Sequence, residues 1–367
     1  ALRRARLAVS APVSLSRNGA AVTLTPAQIG DLLSTRVAHG GRDRRDAQVR
    51  LRVDAKRLTD VIGATTIAAF ERKPVSARVK LRGRTVAIVP GRDGFRYDAR
   101  AAAAQLREVA TGEGRRSAQL AGDVVEPELT TAEARALRIV EPVSSFTTEH
   151  PCCMTRVRNI HRIADIVDGV VIQPGETFSV NDFVGRRTRA KGFVAGGAIQ
   201  DGEFVEEVGG GVSQFATTLY NAAYFGGYAI PQHKRHSYYI SRYPEGREAT
   251  LNFPTVDLQI TNSSPYGMLL ETDYTDTSVT VTVWGKRWVD VSSKTSPRTN
   301  VTKGETQFKK NNDLPRGARV VVQKMVRGFD VTVTRTLRFP DGHRDREKVF
   351  TRYLPQPRII ERNRRGG

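Results

Sequence analysis

Apolar and polar residues alternate through "APVSLSRNGAAVTL", residues 11–24, on both sides of Asn18-Gly19. That pattern predicts a β-hairpin around a tight turn. "TPAQIGDLL" follows, with Thr25 placed to cap a helix, Pro26 at its first position, and Ile29, Leu32 and Leu33 along one face. "QVRLRVD" predicts a strand, "AKRLTDVIGATTIAAF" a helix, "SARVKLRGRTVAIVPG" a second hairpin at Arg82-Gly83, "DARAAAAQLREVA" a helix, and "RSAQLAGDVV" a strand. Residues 1–140 therefore predict a small α+β domain in which helices cover a sheet.

A second block, residues 141–290, changes character. "RVRNIHRIADIV" places Val157, Ile160, Ile163, Ala164 and Val167 on one helical face, and "GVVIQPGETFSV" predicts two short strands about Pro174-Gly175. "VGGGVSQFATTLYNAAYFGG" predicts a helix with Phe215, Leu219, Ala222 and Ala223 inward and Gly226-Gly227 as its stop. From Tyr238 to Trp284 the chain reads as strands: "YYISRYPEGREATLNF", "VDLQITN", "GMLLETDY" and "SVTVTVW". "SSKTSPRTNVTKG" predicts a polar linker into a small all-β module over 300–362, with a turn at Asp341-Gly342 and a frayed tail, "ERNRRGG". The expected fold class is α+β multidomain: an N-terminal α+β domain, a central mixed α+β domain and a C-terminal all-β module.

Charge narrows the partners. Lys and Arg number 58 against 38 Asp and Glu, a net +20 over 367 residues. Such a chain attracts polyanions. No RNA-binding signature, zinc-finger spacing or basic heptad accompanies the charge, so nucleic acid is not the expected partner. Anionic cell-wall polymers and membrane surfaces remain as candidates, beside a basic surface that is simply solvated. No apolar run approaches the roughly 18–20 residues that span a bilayer, and no leader pattern follows Ala1. The only cysteines, Cys152 and Cys153, are adjacent. They form no disulfide framework and are expected as a buried thiol pair or a vicinal disulfide, with a reactive thiol as the alternative. His150, His233, His236 and the cysteines are spaced too loosely for zinc, so no metal and no cofactor is expected.

Candidate chemistry gathers at Ser213. Three glycines precede it and a helix begins there, so unpaired N–H groups and the positive dipole end favour an oxyanion or an activated nucleophile. Ser is equally a favoured N-cap, which by itself contributes about 1 kcal/mol. His236 follows at a distance that lets it return to the helix start, and a Ser–His pair is the minimum unit for acyl transfer. Glu248 or Asp257 would orient the imidazole, while Gly210, Gly211, Gln214, Tyr238, Tyr239 and Tyr243 would shape a ligand groove.

Residues 144–285 resemble the VanW domain family of bacterial cell-envelope proteins. The resemblance rests on "FTT" at Phe146, "RVRNIHRIAD", "PGETFSVNDFVGRRT", "GGGVSQFATTLYNAAY", "HSYYISRYPEGREAT" and "VTVWG", in that order. Residues 10–135 look like the "putative peptidoglycan-binding" domain often placed before it, through the course around "DAKRL" and "VPGRDGFRYDAR". Residues 300–362 look like a five-glycine extracellular module, through "VRGFDVTVTR", "DGHRDREKV" and "RYLPQPRII". The resemblance implies an extracellular protein bound to or acting on peptidoglycan. The family has been linked to L,D-transpeptidation, with a cysteine of the glycine-rich motif forming a thioester to a stem peptide and a histidine assisting. Here Ser213 holds the cysteine position, His236 matches the histidine, Glu248 stands where Asp is common, and Tyr239 where Pro is common. Three readings follow: a peptidoglycan-binding protein without turnover, an acyltransferase using Ser213 or a cysteine, and a surface protein self-assembling through sheet edges.

Overall fold

A computed structural model describes residues 2–39, 47–200 and 203–363, with side chains of 37–39, 47–49, 198–200 and 203–205 not described. Residues 364–367, the end of the expected frayed tail, lie outside the described residues. The chain divides into two compact units, Ala1–Arg78 with Ile88–Ala134, and Val79–Ala87 with Arg135–Gly367. Helices and strands intermix as far as Gly285, and the described residues from Asp290 onward form strands alone. The fold is mixed α+β and multidomain.

In the first unit, Val13–Arg17 pairs antiparallel with Ala20–Leu24 and parallel with Ser117–Gln119. The hairpin closes through Asn18 (φ 53°) and Gly19 (φ 87°), the left-handed pair that a two-residue turn of this twist requires. Pro26–Leu32 carries a full capping box, Thr25 with Gln28. The helical stretch after Asp54 is two helices, Ala55–Ile62 and Ala64–Phe70, because Gly63 turns to φ 80° between them. "RSAQLAGDVV" is likewise two strands, Ser117–Gln119 and Gly122–Val125, in different sheets. Val13, Leu15, Leu24, Ile29, Leu58, Phe70 and Leu106 form this unit's core.

In the second unit, a four-stranded antiparallel sheet runs in the order Glu141–Glu149, Ser278–Gly285, Met268–Thr275, Val171–Ile172. Against it pack the helix Thr155–Val167 and a helix Val212–Phe225, here called the site helix. Apart from Ser213 and Phe225, every residue of the site helix is buried. An all-round buried helix has its position fixed from every side.

Two expectations change here. "YYISRYPEGREATLNF" is not a strand: residues 238–253 form an irregular segment, in which Pro244 cannot donate to a ladder and Gly246 adopts φ 68°. "SSKTSPRTNVTKG" is not a linker. Asp290–Thr295 and Thr299–Thr302 both pair with the long strand Gly328–Arg338, so alternating polar residues here mark a sheet with a solvated face. The strand Arg344–Tyr353 flanks Gly328–Arg338 on the other edge. This sheet also meets the far end of the site helix: buried Arg335 donates to the carbonyls of Tyr224, in the last helical turn, and Tyr228, just beyond it, at 2.5 and 3.1 Å, which sets a cation at the helix C-terminus.

Candidate functional site

The start of the site helix is built by close approach of backbones. A Cβ on Gly210 would lie 2.0 Å from the carbonyl oxygen of Gly196, one on Gly209 2.7 Å from Arg187 Cβ, and one on Gly211 2.8 Å from Arg156 Cβ. Only glycine fits at these positions. Fully buried Asn159 then ties the turn down, donating from Nδ2 to the carbonyls of Gly210 and Val194 and accepting from the Val194 N–H.

Ser213 is not the helix cap. Gly211, in the left-handed region at φ 99°, occupies that position, and Ser213 is the second helical residue. Its Oγ accepts the Leu251 N–H at 3.2 Å. Thr217 Oγ1 accepts the Ala249 N–H at 3.1 Å, and Asn221 Nδ2 donates to the Arg247 carbonyl at 2.9 Å. Ser213, Thr217 and Asn221 thus form a polar stripe spaced by four, meeting residues 251, 249 and 247 spaced by two. The match is metric: four helical residues rise about 6 Å and two extended residues about 6.8 Å.

That fastening sets Glu248. Its side chain is fully buried, with Oε2 at 2.6 Å from His236 Nδ1 and Oε1 accepting the Tyr353 hydroxyl at 2.6 Å. The Tyr353 oxygen in turn accepts the Gly246 N–H at 2.7 Å. Burial, and then the neighbouring carboxylate, push the Tyr353 hydroxyl up in pKa, so it stays a donor. In the tautomer that directs the Nδ1 proton at Glu248, Nε2 carries the lone pair. The structure therefore places Glu248, not Asp257, beside the imidazole. Asp257 accepts from Ser179 Oγ and from the N–H groups of Asn181 and Leu258.

Ser213 and His236 line one cavity of about 540 Å³, together with Gly210 and Gly211. No hydrogen bond joins the two among the described residues; Ser213 is engaged with Leu251. Four arginines, Arg156, Arg186, Arg187 and Arg242, line the same cavity, against Glu207 as the one acidic lining residue. Arg156 and Arg187 are 6% and 8% exposed, and burial lowers the pKa of both.

Of the other expected ligand-groove residues, Gln214, Tyr238 and Tyr239 lie elsewhere. Gln214 is fully buried behind the wall: it accepts from Arg156 Nη2 and donates to Thr148 Oγ1 and the Glu149 carbonyl. Tyr239 packs edge-on against Phe329 and Tyr353, under the Arg298 guanidinium. Tyr238 makes a parallel bridge to Leu354. Tyr243 does line the cavity, its ring tilted over His236 at 5.5 Å.

Cys152 and Cys153 are exposed free thiols 2.7 Å apart, correcting the expectation of burial, and their neighbours Pro151 and Met154 line the cavity where they do not. His233 packs tilted against the Tyr220 ring, with its Nε2 unpartnered. No cluster able to hold a metal ion occurs among the described residues, and no helix among them is long and apolar enough to cross a membrane.

Sequence reasoning missed Arg156, Arg187 and Tyr353. Arg156 reads as the solvent face of its helix, and Tyr353 lies 105 positions from the carboxylate it meets. The Ser213–Thr217–Asn221 spacing was a usable signal for the ladder.

A solved structure of an IgA1 protease G5 domain is 27% identical, covering 20% of this chain and 88% of that domain, with a TM-score of 0.13. The uncharacterized protein YoaR of Bacillus subtilis (strain 168) is 28% identical over 230 residues, 62% of this chain and 74% of the relative. Residues 21–119 match the family described as "Putative peptidoglycan binding domain", and residues 155–284, which hold Ser213, His236 and the four cavity arginines, match the family described as "VanW like protein".

Proposed function

We propose that this is an exported cell-envelope protein that binds peptidoglycan and seats a stem peptide in the cavity at the start of the site helix. Its two matched domains support association with the cell wall. The observation that carries the peptide reading is the single cavity that Ser213 and His236 line together with Gly211 and Val212 at the start of a fixed helix. Engagement of Ser213 with the Leu251 N–H favours binding without turnover. The C-terminal strands are read as a five-glycine-type extracellular module, residues 300–362. Purified protein is expected to sediment with isolated peptidoglycan and to shift on titration with a synthetic stem peptide. Absence of both signals overturns the reading.

The His236–Glu248 contact favours a second reading, an L,D-transpeptidase-like acyltransferase. In it, His236 Nε2 takes the Ser213 Oγ proton as Oγ adds to the peptide carbonyl, and helix N–H groups hold the oxyanion. The leaving amine departs with that proton. An acceptor amine then attacks the ester and gives up its own proton to His236 Nε2, which passes it to Oγ as the ester C–O bond breaks. Intact-mass detection of an acyl adduct on Ser213 after incubation with stem peptide tests this reading.

A further inference from the structure

Arg187 holds a buried guanidinium whose fork is open. Its Nη1 donates to Asn181 Oδ1 and the Gly185 carbonyl, while Nε and Nη2 are buried without a partner. The same chain shows what such a fork takes: Arg352 Nε and Nη2 each hold one oxygen of the Asp330 carboxylate at 2.8 Å. The carboxylate acting on Arg187 is Asp257, whose oxygens already accept from Ser179, Asn181 and Leu258.

Arg156 stands on the other side of the glycine turn. Arg187 packs where Gly209 lacks a side chain and Arg156 where Gly211 does. Gln214 fixes Arg156 by accepting from Nη2, and the Tyr243 hydroxyl lies beside it. Among the described residues neither arginine has an acidic partner within ion-pair reach. Two buried cations without an ion-pair partner are destabilising unless an anion joins them.

We propose that Arg156 and Arg187, flanking the glycine turn, form an oxyanion subsite that takes the free carboxylate of the bound peptide. Exposed Arg186 and Arg242 on the same cavity draw the anion in. A small turn of the Arg187 side chain presents its Nε–Nη2 edge, and a carboxylate matches that edge with two parallel hydrogen bonds. The carboxylate's identity rests on the peptide reading above; the subsite itself rests on the two arginines.

The test titrates the whole chain, at fixed ionic strength, with a stem pentapeptide ending in a carboxylate and with its carboxamide. The acid is expected to bind about tenfold tighter. That preference is expected to fall below about threefold in Arg156→Gln and Arg187→Gln, the loss of one fork. Arg187→Lys keeps the charge without the fork, so it covers a failure of Arg187→Gln to fold and is expected to lose most of the preference. Equal affinity of wild type for acid and amide overturns the subsite and leaves peptide binding standing. If neither peptide binds, the peptide reading falls, and inorganic phosphate decides the subsite. A rise in Tm for wild type but not for Arg156→Gln upholds it, and equal response of both overturns it.

Discussion

Tyr353 donates its hydroxyl hydrogen to Glu248 at 2.6 Å, across 105 positions of sequence. One residue of the C-terminal sheet thereby fixes the carboxylate that fixes His236. The same strand end supplies the Leu354 N–H to the Ser237 carbonyl at 2.7 Å, and a Cβ at Gly246 would meet Val333 Cγ2 at 2.7 Å. The irregular chain from His236 through residue 253 is thus clamped between the site helix and the C-terminal strands.

Removing the hydroxyl isolates this relationship. Tyr353→Phe leaves Glu248 Oε1 and the Gly246 N–H without their buried partner, and is expected to cost about 1–3 kcal/mol in chemical denaturation. A double-mutant cycle with Glu248→Gln is expected to show coupling of about 1 kcal/mol or more. Strict additivity would mean that the contact contributes nothing.

Much of the local structure was legible from residue pattern. The Asn18-Gly19 hairpin, the Thr25 cap and the Val157–Val167 stripe each follow from chemistry confined to a few neighbours. The irregular segment 238–253 was not legible, because its extended residues satisfy their backbone on helix side chains instead of a sheet partner. At the site, the glycine run and Ser213 stood out, yet the helix start moved to Gly211 because a left-handed glycine ends the preceding turn. The roles of Arg156 and Tyr353 depend on long-range packing that no local period encodes.

The glycines offer a graded experiment. Gly210→Ala places a Cβ 2.0 Å from the Gly196 carbonyl oxygen, where backbone meets backbone. It is expected to destabilise by about 3 kcal/mol or more, since nothing flexible can yield. Gly197 lines the same cavity with nothing within 4 Å of its added Cβ, so Gly197→Ala is expected to leave Tm within a few degrees. A similar Tm for the two variants would contradict the close approach at Gly210.

Stability is expected to fall in mild acid. Burial, reinforced by the Arg235 charge, pushes the His233 pKa down to about 4 from 6.5. The folded state keeps this ring neutral while the unfolded chain takes up a proton, so no penalty exists above about pH 6.5. It grows as pH falls from there towards about 4 and levels off below, approaching about 3 kcal/mol. Burial lowers His150 too, adding to the same slope. His233→Phe keeps a ring against Tyr220 and is expected to flatten the unfolding free energy between pH 6.5 and 4. An unchanged slope would assign the acid sensitivity to other groups.

Ser213 separates the two functional readings. Ser213→Ala removes the acceptor for the Leu251 N–H, the first rung of the ladder that runs through Thr217 and Asn221. The expected stability cost is about 1 kcal/mol, from one lost hydrogen bond and not from a lost cap. Under the binding reading, Ser213→Ala retains stem peptide with affinity within about threefold of wild type, because one neutral hydroxyl contributes little. Under the acyltransferase reading the adduct disappears. Ser213→Cys sharpens the contrast, since a thiolate is the better nucleophile near neutral pH and His236, oriented by Glu248, stands in the same cavity to take its proton. An acyl adduct on Ser213→Cys alone would identify a competent scaffold that holds serine in place of its nucleophile. An adduct on wild type, abolished in Ser213→Ala, would establish the serine as catalytic. No adduct on either, with peptide still bound, would leave the ladder as the role of Ser213.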